Sequence, residues 1–563
     1  MDQTDGIERL HKLGMKWEDT VSVLNIKESE IYQLPLEILI RTASYLDTSD
    51  ARKLSSCSKQ FLPLRHFVFK NRKLLLKSTV ESIPQYIRDN TQCVTISCYD
   101  ENQLKSHCQM LEIFADIRLI EIIYEGSFDL ELLSKFTHIQ KLQCNTLGIN
   151  NLSTISRFNH LKRLDIERNT APQVSTFHPL DISVFYTLVH LRRLSIANIT
   201  VNNTAACSTL IHLEQLELID TSISDISGLA PLVNLVKLNL IENPISNITA
   251  LRNMTKLKTL KINSLGLHSI DIAPLVNLTN LVELELSGYL ITDITFLSSL
   301  LCLNWLTLSV NENSKIAPLK TLVYLDMSDN VISDVSDLSN LIKLKTLYLN
   351  GNGIENLSGV HHLVHLKTLC LDSNSIVDIS PLAGLTNLVA LYLNDNQIRD
   401  CTALSGLVKL EQLLICDNQI TCLEPLRNLR NLHVLSAKNN EISDISPLSM
   451  TVGLYHLYLS SNKISNVSPL SNVNNLEILA LDSNLIKDIT PLYRLTSLYE
   501  LSIQANEISC IWPLTYLPSL TSLDFEHNPS YNSEALLLLH ATVNMTLYIG
   551  NRSSYFAAQN CTS

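Results

Sequence analysis

The sequence predicts an α/β repeat solenoid of about 20 coils, with a parallel β-sheet on the concave face and short 3-10 or extended segments along the back. Three observations carry that expectation. Leucine occurs 104 times in 563 residues while aromatics make up only 6%, so one Leu-built unit is being copied. The window L-x-L-x-x-N recurs, as in Leu347-Tyr-Leu349-Asn-Gly-Asn352, Leu369-Cys-Leu371-Asp-Ser-Asn374 and Leu391-Tyr-Leu393-Asn-Asp-Asn396. Its Asn falls at 330, 352, 374, 396, 418, 440, 462, 484, 506 and 528, ten times at an unvarying 22-residue step.

Each part of the unit has a physical reason. Leu-x-Leu alternates with the period of a strand, so its leucines face inward and the residues between them face solvent. The Asn follows where the chain bends, and its amide can donate to and accept from main-chain groups inside the coil. The segment N-x-I-x-D-I-[ST]-P-L, as in Asp378-Ile-Ser-Pro381-Leu382 and Asp488-Ile-Thr-Pro491-Leu492, forms the back. Its Pro suits the first turn of a short helical piece. The frame runs backwards more loosely through Asn311, Tyr289, Leu265, Asn243, Thr221, Ile199, Asn169, Leu147 and Glu125 to a first copy near Val94. The longest irregularity is an insertion near residues 171–185. The expected organisation is a helical lead over 1–33, a small helical domain over 34–80, the solenoid over 90–530 and a C-terminal cap over 531–563.

This repeat resembles the leucine-rich repeat family, in the short 22-residue type of bacterial internalins and phosphatase-regulator proteins. The resemblance covers about three quarters of the chain and implies a protein-binding scaffold whose ends need caps. Residues 34–61 differ in kind, reading LPLEILIRTASYLDTSDARKLSSCSKQF. They resemble the F-box. That resemblance implies that Leu34, Pro35, Ile38, Leu39, Leu54, Cys57 and Phe61 meet a Skp-type adaptor of a cullin–RING ubiquitin ligase. The other reading of this segment is a helical cap shielding the first coil.

Charge divides the chain and excludes several functions. Residues 1–80 hold 13 basic and 10 acidic side chains, against 30 and 45 in the remainder, so the arc is the acidic part. A net charge of −12 argues against a nucleic-acid partner. No apolar run is long enough to span a membrane, and the first 20 residues lack the apolar core of a signal peptide. The 13 cysteines contain no C-x-x-C pair, which fits reduced thiols in a cytoplasmic or nuclear protein. His361, His362 and His365 align with variable back positions and are expected to be solvated. No catalytic motif is found, and neither a metal nor a cofactor is expected.

The candidate binding surface comes from the outward strand positions. The central x of successive coils is Tyr348, Cys370, Tyr392 and Leu414, then Ser436 and Tyr458. Apolar and aromatic groups on a solvent face suggest an interaction strip. With Asp372, Asp395 and Asp417 beside it, the strip suits a basic protein segment with an apolar anchor. The expected function is a non-catalytic substrate receptor of a ubiquitin ligase. The alternatives are a phosphatase-regulator-like scaffold and a microbial effector exported without a classical signal, with the N-terminal helices only a cap.

Overall fold

The computed structural model describes residues 74–76, 91–529 and 546–548, apart from 115, 169–178, 314, 317 and 318. They fall into two compact units divided between Ile262 and Asn263.

In the first unit the strands Cys93–Cys98, Leu119–Asp129, Lys141–Asn150, Arg163–Arg168, Arg193–Ala197, Gln215–Ile219 and Lys237–Asn239 pair in parallel, in chain order. The register places Leu142, Leu164, Leu194, Leu216, Leu238 and Leu260 side by side in one buried column. Each such leucine contributes roughly 1.5–3 kcal/mol by burial. The one α-helix of eight or more residues among the described residues, Glu101–Met110, backs the first coil. Asp100 caps it by accepting from the Gln103 N–H at 2.8 Å, and Leu104 and Cys108 fix its buried face.

Two sequence expectations change here. The repeat frame expects bends at Glu125 and Leu147, yet the strands Leu119–Asp129 and Lys141–Asn150 run on through both positions. With no Asn amide to catch the main chain, the strands stay extended, and their pairing shifts register between Tyr124 and Ser127 instead of ending there. The expected insertion over 171–185 also ends early. Residues 180–181 already pair with 201–202, and Ile182–Thr187 is an ordinary 3-10 back with Phe185 buried.

In the second unit Glu283–Tyr289 is followed by three-residue strands from Trp305–Thr307 to Ser522–Asp524, again parallel and in chain order. Within the expected C-terminal cap, Thr546–Tyr548 forms a further strand paired with Ser522–Asp524. One buried leucine column runs from Leu284 through Leu347 and Leu413 to Leu523. The backs are 3-10 turns, many with Pro in the first turn, such as Ser380–Leu382 and Thr490–Arg494. The Asp of D-I-[ST]-P caps them: Asp378 accepts from the Ser380 N–H and Asp488 from the Thr490 N–H, both at 2.8 Å.

The asparagines form a buried ladder. Asn418 donates through Nδ2 to the carbonyls of Leu393 and Cys416, each at 2.9 Å, and its Oδ1 accepts from the Ile398 N–H at 2.9 Å. The same set repeats at Asn396, Asn440, Asn462, Asn484 and Asn506. Asn311 and Asn243 make it as well, so the looser frame is real at those coils. The residue before each ladder Asn takes positive φ, at Asp395, Asp417, Asn439 and Ser461 among others.

Not every rung is an asparagine, and one of the exceptions is a buried tyrosine. Tyr289 fills the position, fully buried, and its Oη finds no hydrogen-bond partner. Gly288 before it has φ +78°, and a Cβ there would lie 1.8 Å from the Ser264 carbonyl oxygen, so only glycine fits.

Two outcomes follow for stability. Asn418→Ala strands an N–H and two carbonyls in the coil and is expected to cost about 2–4 kcal/mol in urea unfolding; a loss below half a kcal/mol would mean the ladder is dispensable. Tyr289→Phe removes an unpaired buried hydroxyl and is expected to stabilise by about 1 kcal/mol. Destabilisation by that change would show that the hydroxyl has a partner such as a buried water.

Candidate protein-binding surface

Two columns of side chains face outward from the short strands of the second unit, one before and one after the first buried leucine. The central column holds Asp326, Tyr348, Cys370, Tyr392 and Leu414 in register on adjacent strands. The preceding column opens with Trp305 and Tyr324. Those two rings stack with centroids 3.6 Å apart and 6° between planes, and Tyr324 lies 5.8 Å from Tyr348. Trp305 remains 40% exposed although it stacks on a neighbour. Burial, with Asp326 adding to it, pushes the Tyr324 phenol up to about 12, so it stays a neutral hydrogen-bonding group.

The predicted strip is therefore partly rearranged. Tyr348, Tyr392 and Leu414 are half-buried on the sheet face as expected. Cys370 is only 7% exposed between its cross-strand neighbours Tyr348 and Tyr392, so it levels the floor of the strip and presents little to solvent. Its thiol donates towards Asp372 at 3.6 Å. Tyr392 Oη donates to Gln412 at 2.9 Å. Tyr458 is separated from Leu414 by Ser436 and forms a second patch, its ring 6.4 Å from His456 and 4.9 Å from the Lys438 ammonium.

The three carboxylates differ from one another. Asp372 follows the second leucine of its coil, just past the strand, half-buried and accepting from the Asn394 N–H at 2.6 Å. Burial raises its carboxyl above the ordinary range. Asp395 and Asp417 sit at φ 54° in the turn just before the ladder Asn, where a short polar side chain tolerates the left-handed backbone. Both are exposed, and Asp417 accepts from Asn439 Nδ2 at 2.7 Å. Their placement at the strand exit makes an acidic edge beside the aromatic strip.

Trp305 and Tyr324 are missing from the sequence-derived site because that reading followed the central x alone. The signal was present one residue earlier, in Trp305-Leu306 and Tyr324-Leu325. His361, His362 and His365 are exposed. Among the described residues, no group of three or more His, Cys, Asp or Glu is placed to hold a metal. Leu34, Pro35, Ile38, Leu39, Leu54, Cys57 and Phe61 lie outside the described residues.

The outward face of the first unit is built differently. Asp165 takes Arg163 at 2.5 Å and Arg193 at 3.3 Å, while Glu217 takes Arg193 at 3.2 Å and Lys237 at 2.6 Å. Burial opposes ionisation of Glu217, but Lys237 and Arg193 together hold its carboxyl below the ordinary range. This face satisfies its own charges.

The chain matches the family model for Leucine Rich repeats (2 copies) over residues 320–360, 364–406 and 408–450. An internalin from Listeria monocytogenes is 32% identical, covering 56% of this chain and 87% of that one, with a TM-score of 0.47. A leucine-rich repeat protein from Leptospira interrogans is 21% identical over 76% of this chain and 100% of that one, with a TM-score of 0.50. The ectodomain of an Arabidopsis thaliana membrane receptor kinase, solved with CASPARIAN STRIP INTEGRITY FACTOR 2, is 18% identical over 86% of this chain and 68% of that one, with a TM-score of 0.58. No curated protein sequence matches the chain. With its Leu-x-Leu strands in parallel register, its buried asparagine ladder and this match in sequence, the chain belongs to the leucine-rich repeat family.

Proposed function

We propose that the chain is a non-catalytic protein-binding scaffold, and that the aromatic strip from Trp305 to Leu414 holds its target. The observation that carries this is the partly exposed aromatic cluster on a strand face, Trp305 stacked on Tyr324 with Tyr348 tilted beside it. Tyrosine favours strands in its own right. Propensity alone does not account for a large indole left 40% exposed at the end of a stack. Aromatic anchors of this kind supply most of the energy in protein interfaces. The acidic edge of Asp395 and Asp417 selects for a basic flank on the bound segment.

The pattern in residues 34–61 supports a finer reading, in which those helices dock a Skp-type adaptor and the chain acts as the substrate receptor of a cullin–RING ubiquitin ligase in the cytoplasm or nucleus. The mechanism is proximity: a receptor raises the effective concentration of target lysines near the ubiquitin-conjugating enzyme. The internalin-like repeats favour a second reading, a microbial or regulatory scaffold whose N-terminal helices only cap the first coil.

Two experiments test these readings. Tyr348→Asp/Tyr392→Asp places charge in the strip and is expected to weaken target capture by about 2 kcal/mol per site, some 30-fold each, with thermal unfolding unchanged. Unaltered capture by the folded double variant would remove the strip from the binding site. For the adaptor, pulldown from a eukaryotic extract compares wild type with Pro35→Ala/Leu39→Ala, both checked for folding. Capture by wild type, lost in the variant, supports the ligase receptor. Absence of capture by either leaves the capping reading.

A further inference from the structure

We propose a second binding site, in the first unit, for a compact anion carrying two or more phosphate groups. A cleft of about 330 Å³ lies at the entry to the strands and is lined by His160, Lys162, His190, Arg192 and His212. No acidic residue lines it. The pairing of Arg163 with Arg193 and of Arg193 with Gln215 sets the three coils in register. Each histidine stands three positions ahead of its strand residue, with Lys162 and Arg192 one ahead. Adjacent strands lie about 4.8 Å apart, so the three histidines span roughly 10 Å. A single phosphate reaches two neighbouring coils, and filling the row takes more than one.

Other coils show a structural task that this position can serve and that the three histidines do not. In four later coils it is an asparagine whose Nδ2 donates to a carbonyl of the coil before, Asn234 to Ile211 at 2.8 Å, Asn387 to Val364, Asn431 to Val408 and Asn475 to Val452, while others carry residues such as Lys256, Thr321, Lys343, Lys409 and Gly453. His160, His190 and His212 are exposed and make no such bond, and Lys162 has no ion-pair partner. The main-chain N–H groups of Lys162, Arg192 and Glu214 already donate to Gln140, Lys162 and Arg192 of the preceding coils. Recognition therefore falls to side chains. A metal is the wrong ligand, since two fixed cations stand among the imidazoles.

The charged groups around the cleft are few. Glu214 pairs with Arg192 at 2.5 Å, both side chains half-exposed or more, and such a pair opens at little cost. His138 occupies the same position one coil earlier. On the far side Lys256 donates to Asn234 at 2.7 Å. Imidazole changes charge near neutrality. A bound polyanion favours its protonated form, so affinity rises as pH falls.

The test uses the full chain and inorganic triphosphate by calorimetry at low salt, at about pH 6 and about pH 8. The variant His160→Asn/His190→Asn/His212→Asn installs the residue other coils use, so it is expected to fold, as circular dichroism would verify. Wild type is expected to bind one triphosphate, more tightly at the lower pH, with at least a tenfold loss in the triple variant and in Lys162→Ala. Phosphatidylcholine vesicles with and without a phosphoinositide separate the sources. Retention by phosphoinositide vesicles alone points to a lipid headgroup, and triphosphate binding without vesicle retention points to a soluble ligand. Absence of triphosphate binding by wild type, or equal binding by the folded triple variant, overturns the proposal.

Discussion

A flat stack of short strands has a difficulty at every strand exit, where the main chain must turn inward while its polar groups are already out of water. The buried asparagine amide resolves it. One side chain satisfies two carbonyls and one N–H, drawn from its own coil and the one before. An unpaired buried N–H or carbonyl costs about 1–3 kcal/mol, so without this group each coil would surrender much of what its leucines gain. The ladder also explains strand length. Where it is continuous, strands close after three residues; where it is absent, as at Glu125 and Leu147, they run to ten or more.

Once the ladder fixes the coil, the face opposite the leucines is free of folding duties and can be specialised. The two units specialise it in opposite ways. In the first, Asp165 and Glu217 are each held by two cations across neighbouring strands, an arrangement that gives a partner little to bind. In the second, aromatic rings occupy the same kind of position and are left partly open to solvent. A surface that has not paired its own groups is the one on which a partner gains most, which is the reason for proposing Trp305, Tyr324, Tyr348 and Tyr392 as the protein-binding strip.

Much of this was legible in the residues. The ten regular asparagines, the leucine register and the Pro-containing backs follow from spacing alone, because each answers a local need that recurs every 22 residues. Features that depend on neighbouring coils were harder to read. Cys370 is shielded by tyrosines 22 residues away on either side. Asp395 and Asp417 read as a binding rim, yet their first role is to occupy a left-handed turn. Trp305 and Tyr324 were missed because two outward columns flank each leucine and only one was followed.

The histidines at 160, 190 and 212 show how a repeat exposes function. In a single compact domain an exposed histidine carries little information. In a repeat, every position has a reference occupant with a known task, and departures can be judged against it. Here several coils use an asparagine that ties one coil to the last. Three departures in consecutive coils, all to the same residue and interleaved with Lys162 and Arg192, give up that tie without a compensating contact inside the fold. His365 stands at the same repeat position, but the coils on either side of it carry Lys343 and Asn387 there, so it belongs to no row of histidines. The row of imidazoles interleaved with two cations is what the proposed anion would gain from, and the basic lining of the cleft fits that chemistry.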